Sequence, residues 1–184
     1  MAHTRPVLYV ISGGGPPAKQ LADFVRFAQG QGWDVCVIAT PDGARFMDAG
    51  ELAALTGHPV RVHYKDPDDP DVLPPADAMV LAPATFNTIN KLAHGISDTL
   101  ALGLVNEAVG LGLPIVAVPW PNTALARHPA FQRSVAELRE WGVTVIFDPA
   151  RLPGVSETGA VFPWELLRAE LANLRAATER SATR

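Results

Sequence analysis

The chain has 184 residues, 48% of them hydrophobic, and a formal net charge of −4 with lysine and arginine scattered along it. That is enough apolar material for one large core in a single domain spanning 1–184, and the absence of a basic run argues against nucleic acid or a membrane surface as partner. Cys36 is the one cysteine and the five histidines show no i, i+4 pairing, which excludes an internal disulfide and gives no metal reading.

In chain order, Val7 to Ile11 is a continuous apolar run. It leads through Ser12-Gly13-Gly14-Gly15 into a helical pattern over 18–29, with Leu21, Phe24, Val25 and Ala28 on one face. That first run, of only about six residues, is too short for a signal-peptide core or a membrane span, so the chain reads as cytoplasmic. Gly32 closes the helix, and 34–39 forms a second apolar strand, with Cys36 as a small core residue, ending at Thr40-Pro41. A helix is predicted over 44–55, and the Asp- and Pro-rich stretch 65–75 reads as an exposed loop. Next come a strand over 78–82 that Pro83 should stop and a helix over 89–100 that 104–110 extends or repeats. A strand over 114–119, an amphipathic helix over 130–141 and a strand over 143–147 follow. A last helix starts at Trp164, and the tail from about 176 should fray. Strands that are apolar throughout, alternating with helices, predict a doubly wound parallel α/β sheet whose ligands bind at the carboxyl ends of the strands.

The stretch from Met79 to Leu102 carries the most chemistry. An apolar strand runs into a polar turn that opens a helix, so Thr85, Asn87 and Thr88 place hydroxyl and amide groups where free helix N–H groups also point. Phosphate is the natural guest; the bland alternative is a strand-to-helix turn capped by Thr85 or Asn87. Ser12-Gly13-Gly14-Gly15 offers a second such place, with a flexible surface turn as its alternative.

Ala82-Pro83-Ala84-Thr85, Asn87-Thr88-Ile89, Lys91, Gly95-Ile96 and Asp98 together resemble the signature of the homo-oligomeric flavin-containing cysteine decarboxylases. The resemblance implies a Rossmann-like or flavodoxin-like fold and FMN in preference to FAD, since no second, adenine-binding pattern is present. It implies cofactor contacts from Ser12, Gly13, Gly14, Thr40, Phe46, Ala84, Thr85, Asn87, Thr88, Lys91 and Asp98, although the triple glycine and Pro16-Pro17 depart from the family's first loop. It also implies assembly into a trimer or dodecamer, and a small-molecule or peptide thiol carboxylate as substrate.

On the substrate side the resemblance is thinner. Pro119 and Asn122 match a motif whose asparagine holds the substrate carboxylate, while Pro121, Leu125 and Ala126 do not. Asn122 keeps an NH2 donor for that task, and its alternative is a turn residue. The family's catalytic histidine stands about eight residues before an Ala-Asp pair; counting back from Ala76-Asp77 reaches Asp69, so His63 serves only if Asp66 to Pro70 is an insertion. The family's Cys-containing lid is replaced by Pro153-Gly154-Val155-Ser156-Glu157-Thr158-Gly159. Two other functions remain open in the sequence: a flavin prenyltransferase, with Lys91, Arg127 and Arg133 as candidate phosphate cations, and a non-catalytic flavin-binding regulator.

Overall fold

The computed structural model of the protein describes residues 5–156 and 159–181, so Glu157 and Thr158 of the expected lid lie outside the described residues. Five parallel strands, β1 (Val7–Ser12), β2 (Asp34–Ala39), β3 (Ala78–Ala84), β4 (Ile115–Pro119) and β5 (Thr144–Val145), form one sheet in the order β2-β1-β3-β4-β5. The chain steps outward from β1 to β2, then returns to the other side of β1 for β3. The carboxyl ends of β1 and β3 therefore flank the switch point, where doubly wound sheets open a crevice.

Strand residues point alternately to two apolar cores. On one face Tyr9, Ile11, Cys36 and Leu81 meet α3 (Phe86–Ala93), α4 (Leu100–Leu111) and α6 (Pro129–Glu140). On the other, Leu8, Val10, Val37 and Val80 meet α1 (Leu21–Gly30), α2 (Ala49–Thr56) and α7 (Trp164–Ser181). Burial on both sides explains why the strands are apolar throughout rather than at every second residue.

Several boundaries differ from the sequence expectation, each for a local reason. Pro83 does not stop β3: the Ala82–Pro83 peptide is cis, the strand continues to Ala84, and its register with β4 shifts between Leu81 and Ala84. The helix expected over 44–55 is a short 3-10 turn, Gly43–Phe46, followed by α2, because the Asp48 carboxylate accepts from Glu51 N (2.9 Å) and starts a new helix there. The helix expected over 89–100 divides into α3 and α4, since Gly95 takes a left-handed φ of 65° and Thr99 caps α4 through Leu102 N. β5 has two residues rather than five, because the chain turns at Asp148, whose carboxylate caps a 3-10 turn over Pro149–Arg151. α7 runs on through Ser181, with Thr178 buried and the Arg175 guanidinium 5.3 Å from the Trp33 ring centre.

Candidate functional site

The loops after β1, β2 and β3 interlock at the switch point. Gly13 N donates to Pro83 O (2.8 Å), and a Cβ on Gly13 would stand 2.9 Å from that oxygen and 3.1 Å from Thr85 Cγ2. Thr40 N donates to Ser12 O (3.0 Å), while Gly43 N donates to Thr40 Oγ1 (2.9 Å). A Cβ on Gly43 would lie 2.3 Å from Ser12 O, so that position has room only for glycine. Gly43 was not among the sequence candidates, and its only signal there is the turn-like Pro41-Asp42-Gly43 run.

This arrangement changes how the glycine loop presents donors. It opens onto a 3-10 turn over Pro16–Gln20 rather than onto an α-helix, and Pro16 and Pro17 have no N–H to offer. The loop's donors are instead the backbone N–H groups of Gly14 and Gly15, which have no backbone partner among the described residues. Ser12 is fully enclosed, and among the described residues its hydroxyl makes only a 3.4 Å contact with Gly13 O. Asp42 packs beside Gly14, but its carboxylate is exposed and lies 3.9 Å from the Arg45 guanidinium.

A second set of donors lies at the start of α3. Thr85 is the N-cap: its hydroxyl accepts from Thr88 N (3.1 Å) and lies 3.0 Å from Thr88 Oγ1. The N–H groups of Phe86 and Asn87 remain unused by the helix and project from its positive end, at the carboxyl end of β3. Asn87 is exposed and its amide makes no hydrogen bond among the described residues. Ala84 is buried and paired with Pro119, and its carbonyl accepts from Trp120 N (2.8 Å). Four residues beyond Asn87, Lys91 shares its helical face, but the Lys91 ammonium is joined to the Asp98 carboxylate at 2.5 Å. Ser134 Oγ donates to Asn90 Oδ1 (2.8 Å), fixing α3 against α6.

Beside this start, across the β3–β4 pairing, Asn122 caps the short helix α5 (Thr123–Ala126). Its Oδ1 accepts from Leu125 N (2.9 Å), which leaves the Nδ2 amide free to donate. Thr123 N donates to Pro153 O (2.9 Å), so the segment expected to act as a lid is anchored at α5. Beyond that stretch, the Phe162 ring packs edge-on against Trp120 at 5.2 Å.

Phe46 is half-buried and belongs to neither apolar core. His63 stands apart from α3, on the exposed loop that follows an isolated bridge between Ile38 and Arg61 at the carboxyl end of β2. Its ring makes no hydrogen bond among the described residues, and Arg61 Nη2 donates to its carbonyl (3.1 Å). Burial pushes the Cys36 thiol up to about 12, which keeps it protonated and inert in the core. The described residues contain no His, Cys, Asp and Glu group able to hold a metal, and no helix long and apolar enough to cross a membrane.

A parallel sheet with a glycine-lined crevice and a helix start at its switch point defines a doubly wound α/β protein with its free backbone donors gathered at the carboxyl ends of its strands. The sequence model of the Flavoprotein family matches residues 3–174, and the chain belongs to that family. Among curated relatives it is similar to a probable phosphopantothenoylcysteine decarboxylase of Streptococcus mutans, at 29% identity over 163 residues, 85% of this chain and 90% of that protein. It is also 32% identical over 152 residues to the coenzyme A biosynthesis bifunctional protein CoaBC of Bacillus subtilis, covering 79% of this chain but only 36% of the longer one. The same fold is seen in a PPC decarboxylase mutant complexed with pantothenoylaminoethenethiol (TM-score 0.73, 22% identity, 94% of this chain and 99% of that one). It recurs in the FMN-dependent cysteine decarboxylase SpaF (TM-score 0.71, 23% identity, 97% and 98%).

Proposed function

We propose that the crevice between β1 and β3 holds FMN by its phosphate and that the protein oxidatively decarboxylates a cysteine-type thiol carboxylate. The observation that carries this reading is the adjacency of two helix starts at the ends of β3 and β4: Thr85 opens a free anion site, and Asn122 keeps an unused amide donor beside it. The residues present suit the cofactor, since Gly13 and Gly43 leave no space for side chains where the loops meet and Gly14, Gly15, Phe86 and Asn87 supply N–H donors. A single phosphate cradle favours FMN over FAD.

When bound, the flavin supplies the two-electron oxidation of the thiol-bearing carbon, after which carbon dioxide leaves readily. Asn122 Nδ2 donates to the substrate carboxylate and fixes its orientation while Oδ1 stays on Leu125 N. His63, on the exposed loop after β2, is the residue that the resemblance offers to take up the thiol proton. Of the three cations a prenyl phosphate could use, Lys91 is neutralised by Asp98, which leaves Arg127 and Arg133, both exposed and without a carboxylate within 4.0 Å among the described residues. Exposed apolar side chains such as Ile96, Leu111 and Trp141 suit association of identical copies as a trimer or dodecamer.

The test is to incubate the purified, flavin-loaded protein with phosphopantothenoylcysteine and with a peptide ending in cysteine, and to weigh the products. Loss of about 44 mass units, one carbon dioxide, from either supports the reading, and loss from neither overturns it. A second reading, a flavin-binding protein without decarboxylase activity, is favoured by the unpartnered His63 ring. Decarboxylation by the native protein overturns this second reading, and an unchanged rate in His63→Ala then removes His63 from the mechanism.

A further inference from the structure

We infer that Arg61 anchors an oxyanion subsite for a phosphate or carboxylate carried on an aliphatic stem, in the cavity beside the carboxyl end of β2. The cavity holds about 610 Å3, with Val60, Val62 and Val72 as apolar walls and Arg61, Lys65 and Asp69 as charged ones. A neighbouring cavity of about 340 Å3 shares Arg61, Tyr64, Lys65 and Val72 with it. The backbone of Arg61 is fixed to the sheet, donating to Val37 O (3.1 Å) and accepting from Ala39 N (2.9 Å).

The charges of the cavity are unequal in their partners. The Lys65 ammonium is neutralised by Asp71 at 3.0 Å and also donates to Asp69 O (2.6 Å). The half-buried Arg61 guanidinium spends one donor on His63 O and has no carboxylate within 4.0 Å among the described residues. Four of its five N–H donors are thus left for a guest, in a fork that matches two oxygens of a carboxylate or phosphate. Asp69 lines the same cavity without meeting Arg61, so the guest that fits has its negative end at Arg61 and a hydroxyl or amide donor for Asp69. Tyr64 closes the side toward α4, where its hydroxyl donates to Thr99 O (3.2 Å) over Gly103, a residue on which a Cβ would lie 2.1 Å from that hydroxyl oxygen.

The identity of the guest as the far end of the substrate rests on the decarboxylase reading; binding of the anion does not. Calorimetric titration of the purified, flavin-loaded protein with 4′-phosphopantetheine and with pantetheine, which differ only by the phosphate, measures the subsite without turnover. The phosphorylated probe is expected to bind about tenfold tighter. Arg61→Gln should collapse that ratio toward one, Arg61→Lys should retain part of it, and Arg139→Gln, an exposed charge control on α6, should keep it. Competition by inorganic phosphate or by acetate then tells a phosphate guest from a carboxylate guest. An equal ratio in the native protein and Arg61→Gln overturns the inference. If the Arg61 dependence holds and no thiol carboxylate is turned over, the subsite stands and the decarboxylase reading falls. Turnover with a ratio indifferent to Arg61 gives the reverse.

Discussion

Gly43→Ala probes the geometry on which the cofactor cradle depends. Its added Cβ would stand 2.3 Å from Ser12 O, 3.0 Å from Thr40 Oγ1 and 3.1 Å from Gly13 C, two of which are backbone atoms that no rotamer change can move. An ordinary contact requires the loops after β1 and β2 to separate by roughly 1 Å, an overpacking cost of about 1–3 kcal/mol. That movement also strains the hydrogen bonds from Thr40 N to Ser12 O and from Gly43 N to Thr40 Oγ1, each contributing about 1 kcal/mol. A total loss of about 2–4 kcal/mol corresponds to a fall in Tm of roughly 5–15 °C for a chain of this size. Thermal unfolding followed by circular dichroism reads the stability, and fluorescence titration of FMN reads the cradle, whose affinity should fall at least tenfold. Gly110→Ala is the matched control: the site lies inside α4 with nothing within 4 Å of the new Cβ, so it should gain up to about 1 kcal/mol. If Gly43→Ala melts within about 1 °C of the native protein and binds FMN as well, the interlocked-loop account is wrong.

Three further outcomes follow from single groups. Asn122→Asp keeps the oxygen that caps α5 but replaces the amide donor with a negative charge, so Tm should stay within about 2 °C while decarboxylation falls by about 10–100-fold; a retained rate would remove Asn122 from carboxylate recognition. Thr85→Ala should cost about 1 kcal/mol through loss of the α3 cap and weaken FMN binding, whereas Thr85→Ser should restore both, and equal behaviour of the two variants would count against the hydroxyl. Burial raises the thiol of Cys36 from 9.0 to about 12 and the phenol of Tyr9 from 10.0 to about 12. The folded state thus keeps protons that the unfolded chain releases, so their contribution is complete below about pH 9 and declines as the pH rises toward 12. Denaturation curves across that range should show a shallower decline in Cys36→Ala than in the native protein, and parallel slopes would refute the assignment to Cys36.

The fold was legible because its signal is redundant. Five apolar strands alternating with helices identify a doubly wound sheet even when single boundaries slip, and Val7 to Ser12 or Ile115 to Pro119 have no other plausible burial. The misplaced boundaries fall where one polar side chain or glycine decides: Asp48 before α2, and Gly95 with Thr99 between α3 and α4. Periodicity averages over such positions and misses them. At the candidate site the cap at Thr85 was readable because a cap is a local feature of sequence, whereas Asn122 stood out only through the resemblance and as a turn residue, not as the cap of α5 that it is. Gly43 was not readable, since its requirement comes from Ser12, thirty-one positions away along the chain and 2.3 Å from the missing Cβ. The same holds for Arg61, whose place beside β2 depends on pairing with Ile38 across a connection that contains all of α2.

If a cradle closed by Gly13, Gly43 and Thr85 presents FMN to a thiol carboxylate held at Asn122, the substrate passes electrons to the flavin and so changes its colour. Anaerobic addition of phosphopantothenoylcysteine or a peptide ending in cysteine to the FMN-loaded protein, with the visible flavin band recorded against time, tests it most directly. The band should bleach with at least one of these substrates, in step with release of carbon dioxide, and Asn122→Asp should slow both together. A flavin band that stays unchanged with bound FMN and saturating amounts of both substrates would contradict it.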